Sequence, residues 1–255
     1  MNLLSHPFII CIIIGLSTGL GAIPIFFKKE FSKDTLDVGM GFSAGIMLVA
    51  AFVSLIIPGI NSGILIFGQL IGLSAVFGGI ILGYFFIIVI HNLTPHIHFK
   101  KEKDTKRNNN FSRMTLIVLA ICLHNIPEGL TVGVGLASSD KAAGLALSFG
   151  IALQNMPEGL VVAIGLLSEG HSKAKAFMYA FLSGMVEPIA ALVGFYSLQL
   201  SHLLLPFSLG FAGGAMLFVI CQEIFPEIFI SGHEKKASYG VVAGIITMFA
   251  LNYLI

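Results

Sequence analysis

The chain has 255 residues, of which 56% are hydrophobic and only 11% are Asp, Glu, Lys or Arg, less than half the charged share of an ordinary soluble domain. A water-soluble fold of this size would need a larger polar surface and is excluded. The net charge of +1 favours no partner, and because no basic cluster is interleaved with aromatics, a nucleic-acid partner is excluded too.

Apolar runs and their punctuation predict eight helices, at 7–27, 38–58, 64–91, 113–138, 142–168, 174–199, 205–227 and 238–255. A membrane-spanning helix needs about 20 apolar residues to cross the hydrocarbon layer. No Lys or Arg precedes Lys28, so the first run lacks the basic start of a signal peptide and is expected to be a retained span. Between Val38 and Phe99 there is no Asp, Glu, Lys or Arg, which leaves room for two spans. Pro58-Gly59 and Asn61-Ser62-Gly63 are expected to end the second span. Ser138-Ser139-Asp140 separates the fourth from the fifth, and Ser201-His202 with Pro206 separates the sixth from the seventh. Cys11, Cys122 and Cys221 lie in apolar stretches without CxxC spacing, and are read as buried small hydrophobes rather than a disulfide framework.

The 92–112 stretch between the third and fourth spans is rich in Lys and Asn and is expected to be flexible. With eight spans, thirteen of the fourteen Lys and Arg residues fall on one side, and only Lys141 on the other. That asymmetry predicts both termini outside the cell and the 92–112 loop in the cytoplasm, in a multi-pass protein of the plasma membrane.

Gly41-Phe42-Ser43-Ala44-Gly45-Ile46-Met47-Leu48 in span two matches Gly210-Phe211-Ala212-Gly213-Gly214-Ala215-Met216-Leu217 in span seven at five of eight positions. The two spans run in opposite directions. The match therefore predicts an inverted repeat, spans 1–3 mirroring spans 6–8 around a central pair, spans 4–5. The fold class is an all-α membrane protein, with the whole of 1–255 a single transmembrane domain.

Five of the thirteen acidic residues lie inside the spans: Glu128, Glu158, Glu187, Glu223 and Glu227. A charge at the bilayer centre costs about 2.5–3.5 kcal/mol on insertion scales and needs an offset. Apart from Arg113 and Lys175 at span ends, no Lys or Arg lies in these spans, so an incoming cation is the natural partner. Span four reads His124-Asn125-Ile126-Pro127-Glu128-Gly129, and span five reads Gln154-Asn155-Met156-Pro157-Glu158-Gly159. His124 and Glu128 stand at i and i+4 and share one face, as do Gln154 and Glu158. Facing each other, they would gather an imidazole, two carboxylates and an amide oxygen. Mixed nitrogen and oxygen ligands suit zinc, iron(II), manganese or cadmium, and argue against calcium or magnesium. Pro127 and Pro157 each leave a carbonyl free at membrane depth, those of Leu123 and Leu153. Glu187-Pro188 in span six adds a third carboxylate, which with Asn125 and Asn155 would form a second metal position sharing Glu128 and Glu158.

With these residues in place, the chain resembles the ZIP (Zrt/Irt-like) metal transporter family, and most of all its bacterial GufA-type branch. The resemblance covers nearly the whole chain. It implies metal binding by His124, Asn125 and Glu128, by Gln154, Asn155 and Glu158, and by Glu187, with Met47 where some relatives place a methionine beside the first metal. It also implies a homodimer, an elevator-like movement of spans one, four, five and six against the rest, and a metal-holding role for the loop histidines His91, His96 and His98. The chain departs from the pattern at Gln154, where many relatives carry histidine, and at Asn155, where some carry aspartate; both changes weaken the ligand. Glu223 and Glu227, with His233 beyond, are expected at a cytoplasmic exit.

The expected function is transport of a divalent metal, zinc first, toward the cytoplasm, with the ion as substrate and no prosthetic group. An intramembrane metal-dependent hydrolase is the second reading, and the absence of HExxH counts against it. A proton-coupled carrier of another solute, with the glutamates as relays, is the third.

Overall fold

A computed structural model describes residues 7–28, 31–93, 113–138, 140–229 and 234–255; side chains at 91, 93, 113–124, 199 and 200 are not among those described. All regular structure among the described residues is helical. The described residues form eight long helices: α1, Pro7–Phe26; α2, Lys33–Phe67; α3, Gln69–Leu93; α4, Arg113–Ala137; α5, Lys141–Ser168; α6, in two pieces, Lys173–Gly184 and Val186–Leu200; α7, His202–Ile228; and α8, Glu234–Leu254. All but α4 are long and apolar enough to cross a membrane by length and composition, and α4 has 25 residues.

Local chemistry explains the helix starts. Ser32, Asp140 and Ser172 accept hydrogen bonds from the backbone N–H groups of Thr35, Ala143 and Lys175, capping α2, α5 and α6. The end of α5 is a glycine stop. Gly170, at φ +83°, donates to the Leu167 carbonyl, and His171 donates to the Leu166 carbonyl.

The second and third spans differ from expectation. Pro58 does not end α2, which continues to Phe67. A π-helical segment, Ala50–Ile56, precedes the proline, which then sits in the first turn of the next α-helical piece. There its missing N–H costs little. The real break is Gly68, at φ +78°, and α3 begins at Gln69 rather than at 64. A second π-helical segment, Ile220–Ile224, occurs in α7 and is again followed by a proline, Pro226. The helices α4 and α5 run unbroken through Pro127 and Pro157. In contrast, α6 is interrupted at Met185, where Pro188 has no N–H to offer the Gly184 carbonyl. The third helix extends through Leu93, so the 92–112 loop begins slightly later than expected; residues 94–112, including His96 and His98, lie outside the described residues, as does His233.

Glycines bring the helices together backbone to backbone. Gly41 and Gly45 of α2 face the carbonyls of Ala237 and Val241 on α8, and Gly240 and Gly244 return the contact to Val38 and Phe42. The same device joins α7 to α3: Gly210 and Gly214 face Val76 and Ile80, while Gly79 and Gly83 face Phe207 and Phe211. Close approach through small residues is the usual means of packing helices in lipid, where no hydrophobic force drives them together. A second cluster follows the same rule. Gly159 of α5 faces the Thr18 carbonyl of α1, and Gly129 of α4 faces the Glu187 carbonyl of α6. Between α1 and α6, Gly15 and Gly184 oppose each other directly. At one end of the bundle Lys236 pairs with Asp34, tying the start of α8 to the start of α2.

Candidate metal site

The twin motifs of α4 and α5 meet in the interior. Asn125, Glu128, Gln154, Asn155 and Glu187 are at most 2% exposed, while Glu158 is half-buried. Gln154 Nε2 donates to Glu128 Oε1 at 2.8 Å, joining the two motifs across the α4–α5 interface. Asn155 Nδ2 donates to Glu187 Oε2 at 2.7 Å and brings α6 into the same cluster. Asn125 Nδ2 donates to the Ser183 carbonyl at 2.8 Å, just before the α6 break.

The register of α5 explains this division of labour. Gln154 and Asn155 are consecutive and diverge by about 100° on a helix, so one turns toward α4 and the other toward α6. Glu128 and Glu187 are thereby linked through consecutive residues of α5 into one buried polar cluster.

The surplus is of acceptors. Glu128 Oε2, Gln154 Oε1 and Asn155 Oδ1 are buried and accept no hydrogen bond among the described residues. Such orphaned buried oxygens are rare and costly, at roughly 1–3 kcal/mol each. Each amide donates to a carboxylate, and Asn155 also to the Ile14 carbonyl, so their oxygens are left for something that supplies positive charge.

His124 belongs to α4 by its backbone, one turn before Glu128, but its side chain is outside the described residues. Among the described residues no three His, Cys, Asp or Glu side chains converge as a closed metal cage. Met47 is fully buried on α2, one turn beyond Ser43. Glu223 is half-buried within the π-helical segment of α7, and Glu227 is exposed near the end of that helix. Cys11 is buried as expected, whereas Cys221 is exposed and is not a core residue, because the helix turns it away from the bundle.

Two residues at the site escaped the motif reading. Thr18 of α1, 2% exposed, donates its hydroxyl to Glu187 Oε1 at 3.2 Å. Ser43 of α2, fully buried, donates to the Gln154 backbone carbonyl at 2.7 Å. Extending the repeat would have found Thr18: the offset that pairs Gly41 with Gly210 also pairs Thr18 with Glu187.

Comparison with known proteins gives a consistent result. The profile described as ZIP zinc transporter matches residues 100–252, which include α4, α5 and the Glu187 segment of α6. The chain is 41% identical over 242 residues to a Myxococcus xanthus protein named zinc transporter GufA, covering 93% of this chain and 94% of that relative. It is 38% identical to zinc transporter ZIPB of Bordetella bronchiseptica, covering 92% of this chain and 77% of the relative. It is 30% identical to human zinc transporter ZIP11, covering 92% and 93% respectively. The twin motifs, the helical architecture and these similarities agree: the chain belongs to the ZIP zinc transporter family.

Proposed function

We propose that this chain carries zinc, and related divalent transition metals, across the membrane toward the cytoplasm. The observation that carries this reading is the set of three buried oxygens, on Glu128, Gln154 and Asn155, that accept no hydrogen bond among the described residues. A dication entering there would replace its water shell with these oxygens, with Glu158 and with the His124 imidazole. The cost of burying carboxylates at membrane depth would be offset by the ion itself. Asn125, Asn155 and Glu187 would supply a second position sharing Glu128 and Glu158. Met47 would offer a thioether that favours zinc or cadmium over manganese. The names of the relatives support zinc as the substrate.

Movement follows from an inverted repeat, and several features support one. The shared octapeptides of α2 and α7 are each followed by a π-helical segment and a proline. The glycine contacts of α2 with α8 correspond, residue by residue, to those of α7 with α3. Exchanging α1 with α6, α2 with α7, α3 with α8 and α4 with α5 also relates the contact of Gly159 with Thr18 to that of Gly129 with Glu187. Two similar halves of opposite orientation offer two states of similar energy, one open to each side. In this reading α1, α4, α5 and α6 move as one body against α2, α3, α7 and α8. The basic-residue asymmetry orients both termini outside.

The test is zinc uptake by the purified chain in liposomes. Glu128→Ala and Glu158→Ala are each expected to reduce flux at least tenfold while the protein still elutes as a folded species. Undiminished flux in both variants would overturn the site.

A further inference from the structure

Hydrogen bonds and backbone contacts sort the eight helices into the two bodies just described. Within α1, α4, α5 and α6, side chains link Thr18 to Glu187, Asn125 to Ser183, Gln154 to Glu128, Asn155 to Glu187 and Lys173 to the Phe26 carbonyl. Within α2, α3, α7 and α8 they link Ser54 to Asn252, Gln222 to Tyr84 and Lys236 to Asp34. Among the described residues, every close approach of a glycine to another helix's backbone also stays within one body. Between the bodies, the glycines meet side chains instead: Gly39 meets Pro157, and Gly150 meets Met248 and Ile46. A boundary made of side chains can slide, whereas interlocked backbones cannot.

The hydroxyl of Ser43 crosses that boundary to the Gln154 carbonyl. The partner carbonyl sits on the residue whose side chain holds Glu128. Any sliding of α5 past α2 must break this bond.

The bond is one-sided with respect to the repeat. The octapeptide match places Ala212 at the position of Ser43, and the twin motifs place His124 at that of Gln154. The corresponding contact in the opposite state would bring Ala212 to the His124 carbonyl, and alanine has no side-chain donor. Burial shows which state the structure occupies. On α4, Pro127, Glu128 and Gly129 are buried, and so is nearly all of the helix beyond them. On α5, the matching Pro157 and Glu158 are half-buried, as are Leu160, Val161, Ile164 and Gly165. The C-terminal half of α5 is the cytoplasmic half by the charge asymmetry, so the structure faces inward.

We propose that Ser43 is a positioning residue that holds the metal-carrying body in the inward-facing state, and that Ala212 leaves the outward-facing state without the matching bond. This rests on the transport reading and its repeat. A net buried hydrogen bond corresponds to about a fivefold change in an equilibrium. Release of Ser43 is therefore a part of every return stroke, and it biases the resting protein toward the cytoplasmic side.

The experiment uses the full chain in liposomes, with Cys11, Cys122 and Cys221 replaced by alanine and spin labels at Ala174→Cys on α6 and Lys235→Cys on α8. Distance distributions between the labels read the ratio of the two states. Ser43→Ala is expected to move the ratio about fivefold toward the outward-facing state. Ala212→Ser, which supplies the missing donor on the other side, is expected to move it in the same direction by a similar factor, an effect that mere loosening of the structure would not produce. A ratio unchanged by both substitutions would overturn the proposal. If Ser43→Ala does not fold, the Ala212→Ser ratio decides. Zinc flux is measured on the unsubstituted chain: its absence would count against the transport reading, whereas intact flux with an unmoved ratio would count against the Ser43 bond alone.

Discussion

Gln154 donates its side-chain amide to Glu128 at 2.8 Å and leaves its own amide oxygen buried without a donor among the described residues. In the proposed site one residue would thus steady a carboxylate and offer a neutral ligand beside it. A neutral amide oxygen holds zinc less tightly than an imidazole nitrogen, so that arrangement would favour release over retention.

Gln154→His therefore has a defined outcome. The imidazole adds a strong ligand, and the KM for zinc uptake is expected to fall roughly tenfold, with a lower maximal rate as the ion leaves more slowly. Initial-rate measurements over a range of zinc concentrations separate the two effects. A raised KM would mean that the side chain at this position does not reach the ion.

Thr18→Val removes a hydroxyl that donates to Glu187 and preserves the side chain's shape. Glu187 keeps its bond from Asn155, so the carboxylate is loosened rather than freed. A KM increase of roughly tenfold is expected, in line with the loss of one hydrogen bond to a charged group at about 1.5 kcal/mol. Equal KM values for the two proteins would remove Thr18 from the site.

Backbone packing makes a separate prediction about stability. A Cβ on Gly214 would collide with the Ile80 carbonyl, whereas one on Gly78 would meet nothing within 4 Å. Gly214→Ala is expected to destabilise the protein by about 1–3 kcal/mol through overpacking. Gly78→Ala is expected to be neutral or slightly stabilising, because alanine favours the helix. Thermal unfolding in detergent distinguishes them, and equal melting temperatures would contradict the tight α3–α7 packing.

Much of this was legible in the sequence because lipid imposes simple rules. Long apolar runs announced helices, and acidic residues within them announced a cost that needed an explanation. The duplicated Asn-x-Pro-Glu-Gly pattern pointed to the buried cluster on α4 and α5, which Glu187 of α6 joins through Asn155. What was hidden depended on contacts between distant segments. Thr18 and Ser43 are small hydroxyl residues on apolar helices, where nothing local distinguishes a site residue from a packing residue. Pro58 misled because a proline need not end a helix: a π-helical segment carries α2 past it, just as α4 and α5 continue past Pro127 and Pro157. The interruption of α6 was foreshadowed by Pro188, but its position at Met185 followed from the proline's reach back to the Gly184 carbonyl.

The most direct measurement is the zinc X-ray absorption spectrum of the purified protein loaded with one equivalent of metal, compared with Glu128→Ala. The expected spectrum shows a dehydrated ion with oxygen and nitrogen ligands at about 2.0–2.2 Å and an imidazole contribution, all lost in the variant. A fully hydrated ion in the unsubstituted protein, or an identical spectrum in Glu128→Ala, would contradict the claim that a dication occupies this cluster.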